Sequence, residues 1–280
     1  MQVSSGYVTA SVGAIAFVVL YPLVLLVLVR RRLRVGVRYA AYGALVFLLF
    51  QIVTRIPLVE LAQQALGPGL ERSRAPLIGW LVVVTASASL FEETGRYVAF
   101  RWLLRREANL CGRGWWARAV MYGIGHGGLE SIGIGGLALA SLLGLLALSD
   151  AGLDALPVEQ RAMAAEQLAR ISAAPAWLPL LSAWERLWVL PIQVALSVLV
   201  LQVFRRGALR WLWLAMLAHT LVNLLAVGAL QLLGPQRLAV QVGVALLVAG
   251  FGLAALWITW RLRDPGPKPD VSPRAGADLS

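Results

Sequence analysis

Long apolar runs separated by short polar segments make up most of this sequence. A membrane-spanning helix needs about 20 predominantly apolar residues. Seven runs meet that length and are predicted to be transmembrane helices: roughly 8–29, 37–57, 76–100, 116–148, 177–204, 209–231 and 236–260. The predicted fold class is therefore all-α, a polytopic transmembrane helical bundle with about seven or eight spans.

The fourth run and the polar segment after it are exceptions to the simple pattern. The run 116–148 is too long for one straight span and is rich in glycine. A kinked or broken helix, or a span followed by a half-helix, is expected there. The polar stretch 150–176 is predicted to hold a short interfacial helix over about 158–172, beginning just after Pro157.

Composition excludes a soluble protein. Hydrophobic residues are 59% of the chain and charged residues 14%, against about 45–50% and about 25% in soluble domains. The mean hydropathy is +0.75. The single cysteine, Cys111, excludes an internal disulfide and a cysteine-rich metal site. We predict one transmembrane domain over 1–263, with core motifs in 80–230, and a disordered cytoplasmic tail over 264–280, which is rich in Pro, Gly and Asp.

The positive charge is better explained by topology than by nucleic acid. The formal net charge is +11, and most of the 25 basic residues follow spans one, three, five and seven. The positive-inside bias then predicts an N-terminus outside and a cytoplasmic C-terminus. The expected partners are the lipid bilayer and no nucleic acid, and the expected location is a bacterial or archaeal inner membrane.

Ionisable residues inside spans are costly and mark functional sites. Here they are Arg55, Glu92, Glu93, Arg96, His126, Glu130, Glu185, Arg186 and His219. Arg55, close to Pro57, is interpreted as interfacial, with its side chain extended outward to the surface. For Glu185 with Arg186, nearer the outer end of its span, a structural or gating role is at least as plausible as catalysis.

Four polar side chains on four different spans are predicted to share one depth. Glu92, His126, Gln193 and His219 each lie about 14–16 Å from the cytoplasmic end of their span, at 1.5 Å per residue. Scattered polar substitutions would not usually align in this way. A common site near the middle of the bilayer is therefore predicted.

Helical spacing groups these residues further. Three pairs are separated by four residues and share a helix face: Glu92/Arg96, His126/Glu130 and His219/Asn223. Glu92 and Glu93 are adjacent and point about 100° apart. One of them is expected to face the site, while the other is held by an arginine or by backbone donors.

These residue types permit amide hydrolysis. A carboxylate can take a proton from water so that hydroxide attacks a carbonyl, and Asn and His can donate hydrogen bonds to the developing oxyanion. A zinc site built from His and Glu is the alternative, although H-E-x-x-H is absent. Spacing alone does not separate the two. The alternative is that each pair only holds helices together. That hypothesis has to explain why the polar side chains of four spans lie at the same depth.

The ordered set of motifs resembles a known family. The segments are Phe91-Glu92-Glu93-Thr94-Gly95-Arg96-Tyr97, Gly123-Ile124-Gly125-His126-Gly127-Gly128-Leu129-Glu130, Glu185-Arg186 and His219-x-x-x-Asn223. Together they are similar to the YhfC family of membrane peptidases, related to the CPBP (CaaX protease and bacteriocin-processing) and PrsW-like intramembrane proteases. The resemblance covers roughly residues 80–230.

The resemblance implies a glutamate-dependent intramembrane endopeptidase acting on a membrane protein or peptide. By position, Glu92 or Glu93 would activate water, and His126 and His219 would position it or assist proton transfer. Asn223 would help stabilise the oxyanion. The supporting residues implied are Arg96, which would orient the first carboxylate, with Glu130, Glu185 and Gln193. The cofactor is none or a divalent metal such as zinc, held if present by His126, His219 and Glu92.

One position departs from the family pattern, in which the Glu-Arg pair is followed on the same helix by a His. This chain has Gln193 there. Glutamine cannot act as a general base and is a poor metal ligand. The substitution therefore weakens the metal-dependent hypothesis more than the glutamate-dependent one, and a relative with altered or lost activity stays an alternative. A non-catalytic scaffold or immunity-type relative is thus a second hypothesis. A proton-coupled transporter with a Glu92, His126 and Glu130 relay is a third.

Overall fold

The computed structural model describes residues 3–70, 74–107 and 114–263, and this part of the chain is helical throughout, without a β-strand. The helices are α1 Ser5–Leu33, α2 Arg38–Phe47, α3 Ile56–Leu70, α4 Arg74–Arg106, α5 Trp115–Ala151, α6 Val158–Ala173, α7 Leu180–Arg206, α8 Arg210–Leu233 and α9 Leu238–Arg261. A π-helical segment, Leu48–Arg55, joins α2 to α3, and a short 3-10 turn, Leu153–Ala155, precedes α6.

Seven helical stretches of the described chain are long and apolar enough to cross a membrane, which confirms the predicted architecture. Many large apolar side chains are exposed on the outside of the bundle, among them Trp213, Leu217 and Leu246. Such a surface is stable in lipid and not in water. The chain is therefore a multi-pass membrane protein, while the outward N-terminus and cytoplasmic C-terminus remain predictions.

The second span is longer than predicted. The sequence placed its end near residue 57, but the helical run continues from α2 through the π segment into α3, and the apolar stretch reaches Gly67. Pro57, which has no N–H to donate, is the second residue after the π segment. There the Ile56 N–H reaches the Gln51 carbonyl, five residues back. The wider turn lets the helix pass the proline without ending.

The predicted break in the fourth span is wrong, since α5 runs unbroken from Trp115 to Ala151. Its glycines permit close helix packing instead. A Cβ on Gly125 would overlap the backbone of Ala40 in α2, and a Cβ on Gly123 would lie 2.6 Å from the Cα of Val194 in α7. Glycine at these positions allows α2 and α7 to lie directly against α5.

Helix α7 is the centre of the bundle. In its most apolar stretch 72% of residues are buried, against 11–33% in the other six spans. It packs against α1, α5, α8 and α9, and α4 contacts it as well. The predicted short helix after Pro157 is present as α6. Cys111 and the tail 264–280 lie outside the described residues.

Candidate active site

The paired acids on α4 separate into two environments, as their 100° offset predicted. The Glu92 side chain lies on the wall of a partly open cavity of about 580 Å³ between the helices, which we call the central cavity. The Glu93 side chain is 0% exposed and does not line this cavity. Of these two adjacent acids, Glu92 is thus the one that a substrate or water in the cavity can reach.

Glu92 is held from behind by the first histidine. His126 Nε2 lies 2.9 Å from Glu92 Oε2 and is fully buried in α5. The imidazole packs edge-on against Phe47 and is stacked near Tyr122. Within the described chain, His126 Nδ1 has no hydrogen-bond partner. His126 therefore acts on the cavity through Glu92 and not directly.

Glu93 forms the second acid–histidine pair. His219 Nδ1, on α8, lies 2.8 Å from Glu93 Oε1. The other side of this imidazole lines the central cavity. An ionised Glu93 can only accept a hydrogen bond, so Nδ1 of His219 is assigned the ring hydrogen in this contact. The hydrogen bond fixes the orientation of the ring and directs Nε2 away from Glu93.

Arg96 connects the two pairs. Its guanidinium, fully buried, donates a hydrogen bond to Glu93 through Nη1 and lies 3.6 Å from Glu92 Oε2. The same guanidinium donates to Gln193 Oε1 through Nη2. One internal cation therefore offsets part of the repulsion between two adjacent carboxylates in a low-dielectric interior.

Gln193, which departs from the family pattern, bridges two charged groups. Its carbonyl oxygen accepts from Arg96, and its amide nitrogen donates to Glu130 Oε2 at 2.8 Å. Arg186 Nη1 donates to the other oxygen of Glu130, also at 2.8 Å. Glutamine, with an acceptor and a donor on one group, satisfies a guanidinium on one side and a carboxylate on the other.

Asn223 is the fifth predicted catalytic residue, one helical turn from His219 on the same wall of the central cavity. Its side chain makes no hydrogen bond to another described residue. The amide is therefore available to a ligand in the cavity. A donor in this position beside Glu92 suits an oxyanion.

The structure thus brings together the residues predicted for the site. Some of their contacts differ from the pairs that the four-residue spacing along one helix had suggested. Glu130 bonds to Arg186 and Gln193 and not to His126. Glu185 lines the same cavity and makes no ion pair with its neighbour Arg186, whose partner is Glu130. Spacing along one helix did not reveal these contacts because the partners are on other helices.

The interfacial interpretation of Arg55 is wrong. Its side chain is buried, with 8% of the residue exposed, and it lines the central cavity. The guanidinium donates to the Val84 carbonyl at 2.5 Å and to Ser87 Oγ at 3.3 Å. Because the second span continues beyond Pro57, Arg55 lies inside the span and not at its end.

One contact near the site was missed from the sequence. The hydroxyls of Ser89 and Thr220 lie 2.5 Å apart and join α4 to α8 beside the two acid–histidine pairs. The available signal was position: Ser89 precedes Glu92 by one turn, and Thr220 follows His219 directly. Small hydroxyl residues commonly connect membrane helices in this way.

Fold and site together define a class: a multi-pass helical membrane protein with a buried network of carboxylates, imidazoles and one guanidinium that opens to an internal cavity. The model of the YhfC intramembrane metalloprotease family matches residues 17–248, and the chain belongs to this family. It is 30% identical over 259 residues to "Uncharacterized membrane protein YhfC" of Bacillus subtilis (strain 168), covering 88% of this chain and 92% of the relative. No solved structure matches the chain.

The family description implies a metal ion, and the donors as arranged here do not fit one. Among the described residues, no three His, Cys, Asp or Glu side chains form a group that could hold a metal. His126 Nε2 is occupied by Glu92, which leaves Glu92 and His219 Nε2 as the donors of the site that face the cavity. A catalytic zinc ion takes three ligands from the protein.

Proposed function

We propose that this protein is an intramembrane endopeptidase in which Glu92 activates the water that hydrolyses a peptide bond. One observation carries the proposal: the Glu92 carboxylate, backed by His126, shares a single cavity with His219 and Asn223. A carboxylate base, an imidazole and an amide donor around one cavity are the parts that amide hydrolysis requires.

The proposed reaction begins at Glu92. Its carboxylate takes a proton from a water molecule, and the resulting hydroxide forms a bond to the carbonyl carbon of the substrate. The negative charge on the carbonyl oxygen is stabilised by the side-chain N–H of Asn223 and, in the imidazolium form of the ring, by Nε2–H of His219. The C–N bond then breaks, and Glu92 passes its proton to the leaving nitrogen. The products are a carboxylate and an amine, and Glu92 is again ionised.

The remaining residues hold this geometry. His126 orients the Glu92 carboxylate through a 2.9 Å contact, and Glu93 orients His219 through a 2.8 Å contact. Arg96 lies against both acids and compensates one of their two negative charges. In this proposal the substrate is a membrane protein or membrane-bound peptide, because the site lies among seven apolar helices. The location proposed is the inner membrane of the cell.

The experiment compares cells expressing the full chain, its Glu92→Gln variant and its Glu159→Gln variant. New N-termini in isolated membranes are counted by mass spectrometry. Glu159 is exposed on α6 and serves as the matched control. Loss of the general base is expected to lower cleavage by about 10²–10⁴-fold, whereas Glu159→Gln cleaves normally.

Folding is checked at the same time. Glutamine has the shape of glutamate and can still hydrogen-bond to His126, so Glu92→Gln is expected to retain normal expression and thermal unfolding in detergent. Cleavage by a folded Glu92→Gln variant at the rate of the unsubstituted protein would refute the proposal.

A further inference from the structure

Arg55 presents a buried cation to the central cavity. Its guanidinium is fixed by two neutral acceptors on α4, the Val84 carbonyl and Ser87 Oγ. It makes no ion pair with a carboxylate of the described chain, unlike Arg96 and Arg186 in the same bundle. The positive charge of Arg55 is therefore oriented by neutral acceptors, and Glu92 acts on it only from beyond ion-pair distance.

A charge in this state is costly unless it has a purpose. Arginine inside a membrane span normally pairs with an acid or with backbone carbonyls and faces the bundle interior or a water-filled cavity. Arg55 lines the cavity and donates to a backbone carbonyl, and it makes no direct ion pair with an acid of the described chain. It also ends the π-helical segment Leu48–Arg55, and such segments occur frequently at functional sites. Both features indicate that the missing anion comes from a ligand.

The surroundings narrow the class of that ligand. Most residues of the cavity wall are apolar, and its volume of about 580 Å³ is in the range of small ligand sites. The same wall carries the acids Glu92, Glu130 and Glu185. A phosphate, with up to two negative charges, would meet more repulsion from these acids than a single carboxylate would.

We infer that Arg55 binds a carboxylate of the substrate, either an acidic side chain or the C-terminal carboxylate of the peptide. The inference rests on the proposed function, and it assigns a specificity subsite within that site. A guanidinium can receive both oxygens of a carboxylate in a fixed geometry, which makes arginine a suitable reader of this group.

The position of Arg55 also predicts where cleavage falls. Its anchor, Val84, precedes Glu92 by eight residues on α4, which corresponds to about 12 Å along the helix. An extended peptide advances about 3.3–3.6 Å per residue. Glu92 acts electrostatically on Arg55, so 12 Å is an upper bound on their separation. The bond that is hydrolysed is therefore expected no more than about three to four residues from the bound carboxylate.

The test measures binding, so that it does not depend on catalysis. The full chain with Glu92→Gln is reconstituted in nanodiscs and titrated with three apolar octapeptides carrying a fluorophore. The first has a free C-terminus, the second an amidated C-terminus and one internal Glu, and the third an amidated C-terminus and no acid. At least one acidic peptide is expected to bind roughly 10- to 100-fold more tightly than the neutral one.

Variants of Arg55 identify the residue responsible. Arg55→Gln is expected to abolish the preference for the acidic peptide and Arg55→Lys to retain part of it, while both leave binding of the neutral peptide unchanged. Arg170→Gln, at an exposed site on α6, is the control and keeps the full preference. Preferred binding of the peptide with a free C-terminus would assign the subsite to the terminal carboxylate. Preferred binding of the peptide with an internal Glu would assign it to an acidic side chain.

Several results would overturn the inference. These are equal binding of acidic and neutral peptides, no binding of any peptide, or a preference that survives in Arg55→Gln. Arg55-dependent binding of dodecylphosphate without binding of the acidic peptides would assign the subsite to a lipid phosphate instead. Normal peptide discrimination with no cleavage by the unsubstituted protein would refute the proposed function and leave the subsite standing.

Discussion

Removal of one member of the buried Arg96–Glu93 ion pair is expected to destabilise the protein strongly. Both side chains are 0% exposed and hydrogen-bond to each other. Loss of one partner from a buried pair typically costs about 3–5 kcal/mol, because the other charge stays buried without compensation. Arg96→Met is expected to have the larger effect, since Glu93 then retains only His219 and Glu92 loses a cation 3.6 Å away.

The double variant tests whether the charge pair is the cause. Glu93→Gln alone leaves Arg96 with an acceptor in Gln193 and the nearby Glu92. If the single effects arise from uncompensated charge, Arg96→Met combined with Glu93→Gln will cost less than the sum of the two. The expected coupling is at least about 1.5 kcal/mol, within the range for residues in one network.

The assay is equilibrium unfolding of the purified full chain in mixed micelles with increasing dodecyl sulfate, followed by circular dichroism. The matched control is Arg170 and Glu166 on α6, a pair with the same residue types and side chains 60% and 66% exposed. That pair is expected to contribute less than about 0.5 kcal/mol. Additive effects at Arg96 and Glu93, or single effects below about 1 kcal/mol, would refute the reasoning.

Two further predictions concern helix packing and metal. Gly125→Ala is expected to prevent normal folding, because the new Cβ would overlap the backbone of Ala40, whereas Gly136→Ala on the same helix meets nothing within 4 Å and should express normally. Yields of folded protein on size-exclusion chromatography compare the two, and equal yields would contradict the packing argument. Cleavage is expected to persist in EDTA or 1,10-phenanthroline, and metal analysis of active protein should find less than one equivalent of zinc. Inhibition that added zinc reverses would overturn the metal-free site.

The sequence did not predict which side chains of the site contact each other. Depth counting correctly brought Glu92, His126, Gln193 and His219 to one region, because the rise of a helix converts residue number into distance along the bundle. It gave no rotation of one helix relative to another. The pairing of His219 with Glu93, and of Glu130 with Arg186, therefore appeared only in three dimensions.

Arg55 shows the same limit in a different form. An arginine close to a proline at the end of an apolar run ordinarily marks an interface, and the sequence favoured that reading. The π-helical turn before Pro57 carried the helix onward and left the guanidinium inside the bundle. Such a local change of hydrogen bonding depends on packing against α4, which the sequence of one span does not contain.

The sequence by itself indicated a membrane protein of about seven or eight spans and, apart from Arg55, which ionisable groups lie well inside those spans, because apolar length and helical rise are properties of the chain alone. Tertiary structure decided that Glu92 faces the central cavity while Glu93 is enclosed with Arg96. It also decided that the glycines of α5 receive neighbouring helices and do not break their own. These outcomes depend on which helices are neighbours and on how each is turned about its axis.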